Sequence, residues 1–105
     1  SPRKSSTNLH IDITFYRRDK MNLCVVSTFS CTPEDFKSMV KEFDEEFPGV
    51  VAEYEIAVVN DHKVVTMLNV VDMDAFENLM TSPRMTEWDA ANNNVDVIYS
   101  LEKIN

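Results

Sequence analysis

The sequence predicts an α+β fold in which an antiparallel sheet carries its helices on one face in the order βαββαβ, with one extra strand in front. Three observations lead there. Segments starting at Leu9, Asn22, Val50, Lys63 and Val95 either alternate apolar with polar residues or concentrate β-branched and aromatic side chains, as strands do. Two hydroxyl–proline pairs, Thr32-Pro33 and Ser82-Pro83, mark helix starts. Asn60, Asp61 and His62 punctuate two strand-like runs as a tight hairpin would.

At 105 residues the chain suffices for one domain and falls short of two. Residues 9–105 are read as that single domain and residues 1–8, SPRKSSTN, as a disordered or frayed terminus. A hydrophobic fraction of 44% and an aromatic fraction of 10% support a folded globule. Gly49 is the one glycine, which excludes a phosphate-binding loop and a dinucleotide fingerprint. The net charge of -8 is uneven: residues 1–20 carry +3, from Arg3, Lys4, Arg17, Arg18 and Lys20 against Asp12 and Asp19, leaving -11 on residues 21–105. A body so acidic repels phosphate backbones, so no nucleic acid is expected as a partner. No apolar run reaches the 18 residues or so of a membrane span, and Cys24 and Cys31 are placed too far apart on an extended segment to pair. The expectation is a cytoplasmic protein with reduced thiols and no membrane partner.

In order, Leu9, Ile11, Ile13 and Phe15 alternate with His10, Asp12, Thr14 and Tyr16 in the extra strand, whose polar face takes His10. Asn22 to Ser30 form the next strand, apolar enough on both faces to be central. Thr32 caps a helix with Pro33 in its first turn, and Glu34 and Asp35 complement the dipole there. Phe36, Met39, Val40, Phe43 and Phe47 give it one apolar stripe, and Pro48 and Gly49 end it. The acids Glu42, Asp44, Glu45 and Glu46 sit in its C-terminal half, where the dipole disfavours them.

Val50 to Val59 and Lys63 to Val71 make a hairpin. Glu53 and Glu55 share one side of its first strand roughly 7 Å apart, a spacing open to acid–base or metal chemistry but short of a third ligand, so no metal is expected. Asp72 caps a second helix with Phe76, Leu79 and Met80 on its apolar side. Ser82 and Pro83 restart it as a short further helix with Met85, Trp88 and Ala91 in register, and Asn92 to Asn94 stop that one. Val95 to Ile104 is the closing strand, with Val95, Val97, Tyr99 and Leu101 on one face.

Without the extra strand this is the ferredoxin-like plan. The segments NLCVVSTFSCTPEDFKSMVKEF, EIAVVNDHKVVTMLNVV, MDAFENLMTSPRMTEWDAANN and VDVIYSLEKI together resemble the dimeric α+β barrel superfamily, which includes antibiotic-biosynthesis-monooxygenase-like and muconolactone-isomerase-like domains. The resemblance covers residues 22–104 and lies in architecture rather than in an active-site signature. It implies a homodimer whose sheets pack face to face, covering Val26, Thr28, Ile98 and Ser100, and a pocket between helices and sheet within each subunit. In the sheet order 4-1-3-2 of that fold the strand from Asn22 is flanked on both sides, so Leu9 to Tyr16 is expected to add to an exposed edge of the partner subunit's sheet. Haem-degrading members use an asparagine, a tryptophan and a helical histidine. Asn69 and Trp88 match, but His10 and His62 fall outside predicted helices, so neither haem nor another cofactor is expected.

Two functions follow as expectations. The first is a homodimeric binding protein for a small apolar or amphipathic molecule, a lipid-like acid or an aromatic, with Met39, Phe43, Tyr54, Met67, Asn69, Met80, Arg84, Met85 and Trp88 as ligand-binding residues. Arg84 is the carboxylate partner in that reading, with Tyr54, Asn69 and His62 as further head-group contacts. The alternative is a cofactor-independent monooxygenase-like or isomerase-like enzyme acting on a small hydrophobic or aromatic substrate, with His62, Tyr54 or Asp61 moving protons. No residue pattern fixes a catalytic group, so whether the chain is an enzyme stays open at this level.

Overall fold

The computed structural model describes residues 21–104; the extra strand expected at Leu9 to Tyr16 and the terminus at residues 1–8 lie outside them. Four strands, β1 (Leu23–Thr28), β2 (Val51–Asn60), β3 (Lys63–Val70) and β4 (Val95–Ser100), alternate with helices α1 (Pro33–Glu46), α2 (Met73–Met80) and α3 (Pro83–Asn92). All neighbours pair antiparallel in the order β2-β3-β1-β4. This is the expected ferredoxin-like βαββαβ arrangement, with the short helix after the second one in place. Among the described residues no helix is long and apolar enough to cross a membrane.

Local chemistry sets the helix boundaries. Thr32 and Asp35 form a reciprocal capping box at α1, Asp72 accepts from the Ala75 amide at α2, and Ser82 accepts from the Met85 amide at α3. The α2–α3 break is held twice over: the Thr81 hydroxyl donates to the Glu77 carbonyl and the Ser82 hydroxyl to that of Leu79. Asn93 ends α3 in the left-handed region at φ 53°, the conformation asparagine tolerates best after glycine.

Two expectations are corrected in detail. The β2–β3 turn contains no left-handed residue; the Asn60 side chain instead accepts from the His62 amide at 2.8 Å, an Asx turn, beside a register irregularity at Val58–Asn60. The closing strand stops at Ser100 rather than Ile104, after which the Leu101 amide still donates to the Asn22 carbonyl.

Alternation divides the sheet into two faces. Toward the helices point Leu23, Val25, Ser27, Val64, Thr66, Leu68 and Val70, all buried, and Phe36, Met39, Phe43, Phe76 and Met85 close over them. The other face carries Cys24, Val26, Val65, Met67, Val95, Val97 and Tyr99. Because Val25 pairs with Ile98 and Leu23 with Ser100, those two β4 residues belong to the helix side, not with Val26 and Thr28; Val97 and Val95 take their places on the outer face. We expect Ser82→Ala to lower the unfolding free energy by about 1 kcal/mol through loss of the α3 cap, measured by urea denaturation.

Candidate functional site

Between the helices and the sheet lies a cavity of about 90 Å³. Phe36, Met39 and Phe43 of α1 roof it, Phe76, Leu79 and Met80 of α2 and Met85 of α3 close one side, and Val25, Ser27, Thr66 and Leu68 form its floor. Tyr54 and Val51 reach it from β2 and Asp96 from β4, while Asp44 and Phe47, both exposed, lie on its rim.

Five of the expected ligand-binding residues meet here: Met39, Phe43, Tyr54, Met80 and Met85. Met67 and Asn69 do not, because they alternate with Leu68 and so point to the outer face, where Met67 is 39% exposed. Trp88 stands one layer back, edge-on to Phe36 at 6.0 Å between centroids, as a half-buried core anchor. Arg84 is engaged elsewhere: its guanidinium bonds Glu46 and, at 3.1 Å, Glu42, and lies 4.7 Å from the centre of the Phe43 ring. His62 sits at the hairpin tip with Nδ1 3.1 Å from the Cys31 carbonyl, away from the cavity, and Asp61 is exposed beside it.

Besides Tyr54, the cavity is lined by Ser27, Thr66 and Asp96, polar residues given no role in the sequence analysis. Thr66 is 4% exposed and its hydroxyl finds no hydrogen-bond partner among the described residues. Ser27 is fully buried and donates to Asp96 Oδ1 at 2.6 Å; Asn94 Nδ2 bridges Asp96 Oδ1 at 3.0 Å and Asp89 Oδ1 at 2.9 Å. A signal for both existed. Within VVTMLNVV, Thr66 falls in phase with Val64, Leu68 and Val70, and Asp96 falls out of phase with Val95, Val97 and Tyr99.

Burial pushes the Tyr54 hydroxyl up, helped by the nearby charges of Asp44 and Glu45, so at neutral pH it is a proton donor and not a base. Burial and Asp35 likewise raise the Cys31 thiol, which disfavours the reactive thiolate; Cys24 and Cys31 are both free. Burial also raises Asp89, with Asp96 adding to the shift and the Asn94 hydrogen bond opposing it.

No family model and no curated protein matches the sequence. A solved structure does: SnoaB, a cofactor-independent oxygenase from Streptomyces nogalater, superposes with a TM-score of 0.51 over 80% of this chain and 96% of SnoaB, at 17% identity. The chain shares the fold of SnoaB. That likeness agrees with the architecture expected of the dimeric α+β barrel superfamily, and at this identity it speaks for the fold alone.

The sign of the Asp89 shift yields a test. A carboxyl whose folded-state pKa is raised makes the folded state lose stability as pH climbs from the unfolded value through the folded one. Asp89→Asn keeps an oxygen for Asn94 and removes the charge, so it should stabilise the protein at pH 7. In thermal melts the gain should shrink toward zero in acid, where Asp89 is protonated in both states.

Proposed function

We propose that the chain is a homodimeric binding protein for a small, largely apolar molecule that carries hydrogen-bonding groups, held in the cavity between helices and sheet. The observation that carries this reading is the Thr66 hydroxyl, buried and unpartnered in the floor of an otherwise mainly apolar cavity. An interior hydroxyl left unpaired costs about 1–3 kcal/mol. A valine would fill the same space without that cost, so a threonine there is best accounted for by a ligand atom that completes it.

The cavity also argues about the ligand. At about 90 Å³ it is smaller than the roughly 150 Å³ engineered cavity that admits benzene, so a ring enters by shifting the unbranched side chains of Met39, Met80 and Met85. A lipid-like acid is a poor fit, since Asp44 and Asp96 line the space and Arg84 is already held by Glu42 and Glu46. The homodimer rests on the outer face, where Val97 and Tyr99 are 47% and 54% exposed beside Met67 and Val95. Free thiols at Cys24 and Cys31 are in keeping with a cytoplasmic setting.

A cofactor-independent oxygenase is the second reading, favoured by the fold shared with SnoaB. Of the proton carriers considered for it, Tyr54 alone lines the cavity.

Thr66→Val tests the first reading. The variant should gain about 1 kcal/mol in urea unfolding and bind benzyl alcohol about fivefold more weakly, read by Trp88 emission through its contact with Phe36. Unchanged affinity would sink the role of the hydroxyl. For the dimer, Val97→Glu should halve the solution mass measured by light scattering; a wild-type monomer, or a variant of unaltered mass, would refute face-to-face pairing.

A further inference from the structure

Resting on the cavity reading above, we propose that the head group of the ligand is a protonated amine and that Asp96 anchors it. The argument begins with hydrogen-bond direction. Among the described residues, both bonds that Asp96 accepts, from Ser27 Oγ and Asn94 Nδ2, end on Oδ1. Oδ2 is left as an open acceptor on a carboxylate that lines the cavity. Ser27 and Asn94 cannot turn away cheaply, because Ser27 is fully buried and Asn94 is also tied to Asp89.

Charge points the same way. The cavity lining contains Asp44 and Asp96, and no lysine, arginine or histidine among the described residues. Residues 21–105 carry -11, so the surrounding field adds to the preference for a cation. The rings of Phe36, Phe43 and Phe76 border the same space, with Phe36 stacked on Phe29 and Phe43 on Phe47. Thr66 supplies an independent sign: it stands in the lining at 4% exposure, and its hydroxyl finds no hydrogen-bond partner among the described residues. Thr66 pairs with Val25, and Ser27 with Asp96, so the two polar points stand two strand spacings apart across the sheet and two residues apart along it, roughly 12 Å over the floor. An amine on Asp96 therefore leaves Thr66 for a second polar atom on the body of the molecule, which the apolar walls between them require to be otherwise hydrocarbon.

Three probes of one shape decide the matter: 4-fluorobenzylamine, 4-fluorobenzyl alcohol and 4-fluorobenzoate, each titrated with the full chain and followed by fluorine NMR line width at neutral pH. The amine should bind about tenfold tighter than the alcohol, as a charge-assisted hydrogen bond does relative to a neutral one, and the acid should bind weakest. In Asp96→Asn the carbonyl oxygen is kept at the Oδ1 position by its two donors, which places the amide NH2 where Oδ2 was; the amine should then lose its advantage while the alcohol binds as before. Equal affinities of amine and alcohol for the wild type, or an amine preference that survives Asp96→Asn, would overturn the anchor and leave the cavity reading standing. Absence of binding by all three would overturn both.

Discussion

The structure depends on one strand pair. β1 and β3 lie at the centre of the sheet, each hydrogen-bonded on both sides, and every helix rests on their inward residues. Leu23, Val25, Val64, Leu68 and Val70 are all buried there, and burying a side chain of that size contributes about 1.5–3 kcal/mol. Ser27 and Thr66 stand in the same floor and contribute no such gain. Ser27 is compensated by Asp96, so its cost is small; Thr66 has no such compensation within the described residues. The most constrained surface among the described residues thus holds their one buried hydroxyl without a partner, and the candidate site is built around that.

The helix layer is fastened by local and distant devices that differ in how far they reach along the chain. Thr32, Asp72 and Ser82 act within three residues, each satisfying an amide that the helix start would otherwise leave free. The acids at the end of α1 act over long range. Glu42 and Glu46, one helical turn apart, converge on Arg84 at the start of α3. They stand against the α1 dipole, yet the guanidinium between them offsets that and stacks on Phe43, tying α3 to α1 past the break at Thr81 and Ser82. Because these groups are well exposed, their value lies in fixing geometry more than in stability.

What was legible in the sequence follows the same division. Helix starts, the hairpin and the central position of β1 could be read because period, caps and turn residues are local signals. The strand faces were also readable, but only if alternation was carried through consistently: Val95, Val97 and Tyr99 on one face already imply Asp96, Ile98 and Ser100 on the other. Met67 and Asn69 stood out as chemically distinctive residues in VVTMLNVV, yet distinctive composition does not say which face a residue takes, and the phase of Val64 and Leu68 sends both outward. Arg84 could not have been placed, since its partners lie about forty residues away and no periodicity connects them. Thr66 was legible in its phase but not in its significance. A threonine in a strand is unremarkable by propensity, and its significance comes from the missing partner, which only packing reveals.

The cavity's chemistry then separates what the fold permits from what these side chains select. A space lies between helices and sheet, and the fold shared with SnoaB leaves its occupant open. Selection comes from charge placed on the lining. Among the described residues, Asp44 on the rim and Asp96 on the floor meet no cation in the cavity, while Arg84, at the start of α3, is held by Glu42 and Glu46. Had Arg84 turned inward, the same cavity would favour an acid; with it clamped on the outer surface of α1, an anion entering would meet two carboxylates in a medium less able to screen them than water. The surface ion pair therefore shapes the site from outside it, by withholding the charge that would have reversed its preference.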